Sequence, residues 1–417
     1  MNPNIEFDTA QSKRIAVVLF ITQGLFSGAF ILALTLLSPV AVDLSGSDSA
    51  AGVPGTILTF SRAGIAFPLG LMLDRIGRRN SLSLGYMVSI VGAAVSALGI
   101  ANGEYYLLLV GVLLFGAGRA GSDMSRFVAA EVYPISQRAS IIGTIVFAGT
   151  IGAVAGPLLV VPTSDLAELA DIAPDAGPWM VAGVLVGITM LITFIGLRPD
   201  PREIGRQLRD TETARFNIPE APARPLREIF SDATVQLAVA AMLIGQTVMV
   251  LLMTITPVYL DQHDHSKFSI SLVFLAHTLG MFAISPITGR LIERYGRVNI
   301  ILSGAVVLIA SAVVAPLSTQ LPVPITSMLL LGVGWNFCFI GGTSLLADAL
   351  TTDERGRAQG VNEALVAAVA GLGSLGSGII FAIGGFVVVS AVGLLLTLVL
   401  TGMIGGLAPR HAEPAPM

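Results

Sequence analysis

Twelve apolar segments, each long enough to cross a lipid bilayer as a helix, run through almost the whole chain. A membrane-spanning helix needs about 20 predominantly apolar residues. The segments lie at 15–42, 51–73, 80–101, 105–130, 139–161, 177–197, 234–259, 268–289, 297–316, 323–347, 360–383 and 385–407. Lipid cannot satisfy free backbone groups, so only helices and closed barrels span it, and segments this long exclude barrel strands. The sequence therefore predicts an all-α membrane protein with twelve transmembrane helices, called spans 1–12 below.

The composition agrees with a membrane protein. Hydrophobic residues make up 54% of the 417 residues and charged residues only 12%, about half of the charge that a soluble domain carries. The first apolar segment is longer than the apolar part of a signal peptide, which covers about 7–15 residues. We therefore expect it to be retained as span 1. The single cysteine, Cys338, lies in an apolar segment and excludes a disulfide framework.

The basic residues predict the orientation of the chain in the membrane. Lys and Arg accumulate in cytoplasmic loops, and 19 of the 23 lie at the chain ends or after even-numbered spans. The loops after odd-numbered spans hold one, Lys267. We therefore expect a multi-pass protein of the cell (inner, cytoplasmic) membrane with both termini in the cytoplasm.

One long polar connection divides the spans into two groups of six. Residues 198–233 contain seven arginines and several prolines. This segment is predicted to be a cytoplasmic linker between an N-terminal bundle, 1–197, and a C-terminal bundle, 234–417. Its end at 227–230 is predicted to form a short interfacial helix.

A charged pattern after span 2 returns after span 8. Each copy has a glycine, a carboxylate four residues later, an arginine next to it, then a second glycine and another arginine. The residues are Gly70, Asp74, Arg75, Gly77 and Arg78 in the first copy and Gly289, Glu293, Arg294, Gly296 and Arg297 in the second, 219 residues later. A second pair of residues also recurs: Glu131 and Arg138 match Asp348 and Arg355 at an offset of 217. The two similar offsets indicate an internal duplication.

The pattern Gly-x-x-x-Asp-Arg-x-Gly-Arg-Arg between spans 2 and 3 resembles the signature of the major facilitator superfamily. The resemblance implies two pseudo-symmetric six-helix bundles and secondary active transport by alternating access. It also implies that the duplicated charged residues, with their glycines, form a gate on the cytoplasmic side.

Span 5 carries a second resemblance. Gly143, Gly152, Gly156 and Pro157 resemble the signature of proton-coupled antiporters in the superfamily, with Val160 in place of its last glycine. Gly152 and Gly156 would form a face of small residues for close helix packing, and Pro157 removes one backbone hydrogen bond. The pattern favours export, while ordinary helix packing explains it equally well.

Four charged residues lie well inside the spans, away from their ends, where charges are costly and commonly functional. Arg62 and Arg119 each precede the carboxylate that ends their span by twelve residues, or about 18 Å along a helix. Both should therefore lie near the midplane of the membrane, where transporters bind substrate. Asp123 can share one helix face with Arg119 and Arg126. Arg119 and Asp123 could neutralise each other and leave another arginine for an anion, or Asp123 could carry a proton. A purely structural ion-pair cluster that joins spans 2 and 4 is the third interpretation.

Other polar side chains in the spans are weaker candidates for substrate binding or coupling: Gln23, Gln246, His277, Trp335 and Asn336. His277 could transfer protons or hydrogen-bond within the core. Asn336 aligns with Arg119 at the offset of 217. Glu363 is expected at the start of span 11, where a helix N-terminus favours a carboxylate, so a structural role is expected there.

The leading functional hypothesis is proton-coupled export of small organic compounds. The alternative is an uptake carrier for a small organic anion, and a non-transporting receptor on the same fold is remote. The chain lacks a phosphate-binding Gly-Lys-Ser/Thr loop, which argues against an ATP-hydrolysing enzyme. We expect no enzymatic activity, no cofactor, no metal site and no nucleic-acid partner. The expected partners are a small-molecule substrate, protons and the lipid bilayer, and the functional unit is expected to be a monomer.

Overall fold

The computed structural model describes residues 9–47, 50, 52–216 and 223–407, and it has no strand among them. The α-helices are α1 Thr9–Thr35, α2 Leu37–Ser45, α3 Val53–Ile76, α4 Arg78–Ala101, α5 Tyr105–Glu131, α6 Arg138–Leu158, α7 Val160–Leu169, α8 Gly177–Gly196, α9 Pro201–Phe216, α10 Leu226–Ile229, α11 Ala233–Asp261, α12 Lys267–Thr278, α13 Ser285–Tyr295, α14 Arg297–Val314, α15 Pro322–Ala349 and α16 Thr352–Leu407. The two chain ends, for which a cytoplasmic location is expected, and residues 217–222 of the linker lie outside the described residues.

The predicted all-α membrane fold is confirmed. Ten helices of the described chain are long and apolar enough to cross a membrane, and α12 with α13 makes an eleventh if the bent pair counts as one span. The last helix, α16, contains non-helical backbone at Gly384 and Gly385. Gly385 has a φ of 67°, a conformation that favours glycine. Spans 11 and 12 were predicted to meet at this point, so dividing α16 there accounts for the twelfth span.

Span 8 differs from its prediction. A single α-helix was expected over 268–289, but a short π-helical segment at Leu279–Ala283 separates α12 from α13, and the two helices are bent by 45°. Pro286, near the start of α13, has no N–H group and cannot donate the backbone hydrogen bond that a continuous helix needs at this position. The predicted end at 289 is also wrong, because α13 continues to Tyr295.

The described chain forms two compact units. In the first, α4 packs against α5 and α8, and α1 packs against α6. This unit also includes Thr352–Ala368, the first part of α16. In the second, α15 packs against α11, α12 and α14, with Cys338 buried on α15. The predicted boundaries at 197 and 234 stay predictions.

The described part of the linker contains two helices. Its first part forms α9, in which Ile204 and Leu208 pack against the core of the first unit. Its second part contains α10 at Leu226–Ile229, close to the expected short helix at 227–230. Apolar residues spaced four apart lie on one face of a helix, which explains why α9 packs on the protein despite its many charges.

The duplicated turn has the same backbone in both copies. Gly77 joins α3 to α4 with φ 88° and ψ 167°, and Gly296 joins α13 to α14 with φ 86° and ψ 156°. L-residues with a side chain rarely adopt such positive φ values. Both copies of the pattern therefore form a tight turn that depends on its glycine.

Candidate functional site

The intramembrane charges of the first unit form one connected cluster. The carboxylate of Asp123, on α5, contacts two guanidinium groups. Arg62 Nε, on α3, lies 2.6 Å from Asp123 Oδ2, and Arg119 Nε lies 3.2 Å from Asp123 Oδ1. Asp123 therefore pairs with Arg119, as one interpretation of the sequence expected, and also joins α3 to α5 through Arg62.

The cluster has a second carboxylate, Glu363 on α16. Arg126 Nη2 lies 2.5 Å from Glu363 Oε1, and Arg126 Nη1 donates to the backbone oxygen of Asp123 at 2.6 Å. Arg62 Nη2 lies 3.9 Å from Glu363 Oε2. Arg62 thus lies between both carboxylates and connects the five charges.

The sequence-based expectation for Glu363 was wrong. Span 11 was predicted to begin at 360, which would put this carboxylate at a helix N-terminus. Instead α16 begins at Thr352, and Glu363 lies fully buried about three turns inside it. The helix extends through the charged segment at 353–357, which the apolar pattern did not include. Local sequence therefore carried no signal for the contact with Arg126.

The cluster has one more positive than negative charge, with three guanidiniums and two carboxylates. Two aromatic rings partly compensate this excess: Arg119 lies 4.7 Å from the centre of Phe30 and Arg126 4.7 Å from that of Phe127. Within the described residues, Glu363 Oε2 accepts no hydrogen bond, so a proton added to this oxygen breaks none. The arrangement can therefore accept an anionic group or a proton.

Gln23 lies close to the helix that carries Asp123. Its Oε1 accepts hydrogen bonds from Ser122 and Ser125 of α5, both at 2.8 Å. The structure thus brings Gln23 of α1 to the part of α5 that carries three of the five charges.

The other polar candidates lie in the second unit. Trp335 Nε1 donates to Gln246 Oε1 at 3.0 Å, and the Trp335 ring stacks on Phe339 at 4.4 Å. His277 is buried, and its Nδ1 lies 3.1 Å from the backbone oxygen of Met328. These contacts hold side chains within the unit.

Both the oxygen and the nitrogen of the Asn336 side-chain amide are hydrogen-bonded within the second unit. Its Oδ1 accepts from Thr288 at 2.5 Å, and its Nδ2 donates to the backbone oxygen of Met281 at 2.6 Å and to Ser285 at 2.7 Å. All three partners lie near the bend between α12 and α13. The amide therefore stabilises this bend.

The first copy of the charged pattern forms a buried network. Arg78 and Glu131 make two hydrogen bonds of 2.8 Å each. Asp74 accepts from the backbone N–H groups of Gly356 at 3.0 Å and Arg357 at 2.8 Å, in the first turns of α16. Asp74 thus contacts the N-terminal part of α16, and Arg78 Nη1 lies 3.6 Å from Asp74 Oδ1.

The second copy repeats the main pair. Arg297 Nε lies 2.9 Å from Asp348 Oδ2, which corresponds to Arg78 with Glu131. Arg138 Nε donates to the backbone oxygen of Tyr133 at 3.1 Å. The remaining members lie as follows: Gly289 is buried in α13, Glu293 is half-buried, Arg355 is buried in α16 and Arg75 is exposed.

Sequence reasoning missed Asp200. Its carboxylate accepts from the backbone N–H groups of Arg78 at 3.1 Å and Arg79 at 3.0 Å, at the start of α4. It also accepts from the N–H of Arg202 at 3.0 Å. An Asp directly before a Pro at the first helical position is a helix-start signal, and it could have located α9. Nothing local indicated the contact with α4.

The glycines of span 5 pack closely on α1, as expected. A Cβ at Gly152 would collide with the backbone of Gly28 and Gly24, and one at Gly156 would lie 3.0 Å from the oxygen of Gly28. Gly143 is buried in α6. Pro157 lies one residue before the end of α6 at Leu158. The predicted span ended three residues later, at 161.

Comparison with known proteins identifies the family. The family model described as Major Facilitator Superfamily matches residues 19–374 and, a second time, residues 260–416. The chain belongs to the major facilitator superfamily. It is therefore a multi-pass integral membrane transporter of small molecules, and, since this superfamily and fold are non-enzymatic, it is not an enzyme.

Two relatives from this superfamily align with nearly the whole chain. The uncharacterized MFS-type transporter YdeG of Bacillus subtilis (strain 168) is 31% identical over 94% of this chain and 91% of its own length. The riboflavin transporter RfnT of Brucella anthropi is 29% identical over 97% of this chain and 98% of its own.

Solved structures of the superfamily have the same fold. The human organic anion transporter MFSD10 (TETRAN) matches with a TM-score of 0.74 at 18% identity, over 94% of this chain and 99% of the other. FucP, in the outward conformation, matches with a TM-score of 0.73 at 14% identity, over 95% and 99%.

Proposed function

We propose that this transporter moves small organic compounds by proton-coupled alternating access, with the five-charge cluster as its binding and coupling site. The observation that carries the proposal is the position of Arg62, 2.6 Å from Asp123 and 3.9 Å from Glu363. A guanidinium shared by two buried carboxylates changes partners when either one is protonated. Protonation is thereby linked to the availability of a positive charge for substrate.

Export by proton exchange is the first candidate for the direction. It is supported by the close packing of Gly152 and Gly156 on α1, since these residues form the pattern that resembles proton-coupled antiporters. In this mode substrate and proton exclude each other at Asp123 or Glu363.

Uptake of an organic anion is the second candidate, supported by the excess positive charge of the cluster. Here a proton on Asp123 frees Arg62, which then binds the anionic group. Substrate and proton bind together in this mode. The two candidates therefore predict opposite effects of pH on apparent affinity. Lowering the pH weakens binding in the exchange mode and strengthens it in the uptake mode.

The gate and the topology complete the proposal. Six-helix bundles at 1–197 and 234–417 would move about the site, with both termini in the cytoplasm of a cell-membrane monomer. Asp74, with the start of α16, would hold the cytoplasmic side closed, and Arg78 with Glu131 would fix the turn after α3 within the N-terminal bundle. Breaking the contact of Asp74 with α16 would open this side.

The test is transport by the full chain in proteoliposomes, with and without a pH gradient of either sign. The panel contains riboflavin, because a relative is named for it, together with neutral, cationic and anionic organic compounds. We expect at least one compound whose flux follows the proton gradient. If every compound that is transported ignores the gradient, proton coupling is wrong.

A further inference from the structure

A second basic site lies apart from the charge cluster, where the α3–α4 turn meets the start of α9. It is a cavity of about 520 Å³ within the first unit. Five arginines line it: Arg75, Arg79, Arg198, Arg202 and Arg206. Two carboxylates, Asp200 and Glu203, also line it. The lining therefore carries an excess of three positive charges.

One of the two carboxylates, that of Asp200, already accepts hydrogen bonds from backbone groups. Asp200 accepts from the N–H groups of Arg78 and Arg79 at the start of α4, so it compensates the positive end of that helix dipole. The helix N-terminus is thus satisfied within the protein. The arginine side chains supply the attraction for an external anion.

The arginines of the cavity differ in their partners. Arg202 and Arg206 lie 3.4 Å and 2.6 Å from the carboxylate of Asp353. Within the described part of the chain, the guanidiniums of Arg79 and Arg198 have no carboxylate at ion-pair distance. These two groups are available to an anionic ligand.

The same two guanidiniums lie beside an apolar surface. Arg79 and Arg198 lie 5.1 Å and 5.5 Å from the centre of the Phe194 ring. Phe194 is 42% exposed and Ile195 66% exposed, both at the end of α8, a membrane-spanning helix. Exposed apolar side chains on such a helix contact lipid. Arg79 Nε also donates to Asn80 Oδ1 at 3.3 Å. The site therefore combines two guanidinium groups with a lipid-facing apolar surface, at the end of a span where headgroups lie.

We propose that this cavity binds the phosphate of an anionic phospholipid headgroup. Arg79 and Arg198 contact the phosphate oxygens, since guanidinium groups match phosphate in geometry and charge. The acyl chains extend along Phe194 and Ile195. Basic pockets at the ends of transmembrane helices are suited to anionic headgroups. The proposal does not depend on the substrate or on the direction of transport.

The test is native mass spectrometry of the purified full chain with added phosphatidylglycerol or phosphatidylcholine. We expect the wild-type protein to bind phosphatidylglycerol more tightly than phosphatidylcholine. Loss of an arginine near the membrane surface weakens such binding about fivefold. The affinity of the double variant R79Q/R198Q for phosphatidylglycerol should therefore fall about 25-fold. The variant R79K/R198K keeps both charges but loses the guanidinium geometry, so its affinity should lie between those of wild type and R79Q/R198Q. Binding above that of R79Q/R198Q also shows that substitution at these positions is tolerated.

The matched control is R290Q/R294Q, which removes two exposed arginines of α13 in the second copy of the charged pattern. We expect it to bind like wild type. Equal affinity for the two lipids, or an equal loss in the control, would overturn the proposal. Displacement of phosphatidylglycerol by millimolar inorganic phosphate would also overturn it, because the site would then select a soluble anion.

Discussion

Arg78 and Glu131 form a two-bonded ion pair in the interior, with side chains that are 1% and 2% exposed. Both bonds measure 2.8 Å, and Arg78 also donates to the backbone oxygen of Leu73 at 2.8 Å. The pair joins the start of α4 to the end of α5. It therefore connects two turns at the same end of the first unit.

We expect Glu131→Gln to destabilise the protein by about 3 kcal/mol, the low end for breaking a buried ion pair. The buried Arg78 charge loses its two-bonded partner, while Asp74, 3.6 Å away, still compensates part of it. The matched variant is Asp348→Asn in the second copy. Its pair with Arg297 is 16% and 18% exposed, so water solvates the remaining charge and a loss of only about 1 kcal/mol is expected. Thermal unfolding in detergent checks both. Equal losses would show that burial does not set the strength of this pair.

We expect Gly70→Ala to destabilise the protein by about 1–3 kcal/mol, as overpacking does. A Cβ at Gly70 would collide with the carbonyl oxygen of Gly356 and lie 3.0 Å from Gly360 Cα. Gly64→Ala is the control on the same helix, since nothing lies within 4 Å of its Cβ position. It should be neutral or stabilising by up to about 1 kcal/mol. Unfolding midpoints that fall equally in both variants would contradict the close approach at Gly70.

We expect Gly152→Ala to lower both stability and transport, since its Cβ would collide with the backbone of α1 at Gly24 and Gly28. Gly149→Ala, one turn earlier on α6, is the control. Its Cβ would meet only ordinary contacts, at 3.8 Å and 3.9 Å. Thermal unfolding and transport are measured on the same preparations of both variants. A fully active, stable Gly152→Ala variant would show that α1 and α6 can separate at no cost.

The fold could be predicted from the sequence because the signals for the spans and the turns are local. Apolar length identified the spans, and the glycine pair at 77 and 296 identified the duplicated turns. The contact of Asp123 with Arg119 was also predictable, since residues four apart on a helix are neighbours. Glu363 was misplaced because apolar length ends where charges begin, whereas α16 continues through charged residues.

Long-range partners left no local signal. Glu363 and Arg126 are 237 positions apart, and no spacing rule relates them. Asp200 contacts the start of α4 from 122 positions away. The bend between α12 and α13 was missed because Pro286 lies within a segment that is apolar throughout.

The most direct test of the coupling proposal is proton movement driven by a transported compound, recorded with a pH-sensitive dye inside proteoliposomes. Wild type, Asp123→Asn, Glu363→Gln and the control Glu104→Gln, an exposed carboxylate at the start of α5, are compared at equal protein content. We expect wild type and Glu104→Gln to move protons with the compound. Asp123→Asn or Glu363→Gln should abolish that movement while binding of the compound persists. Undiminished proton movement in both cluster variants would contradict the assignment of coupling to this site.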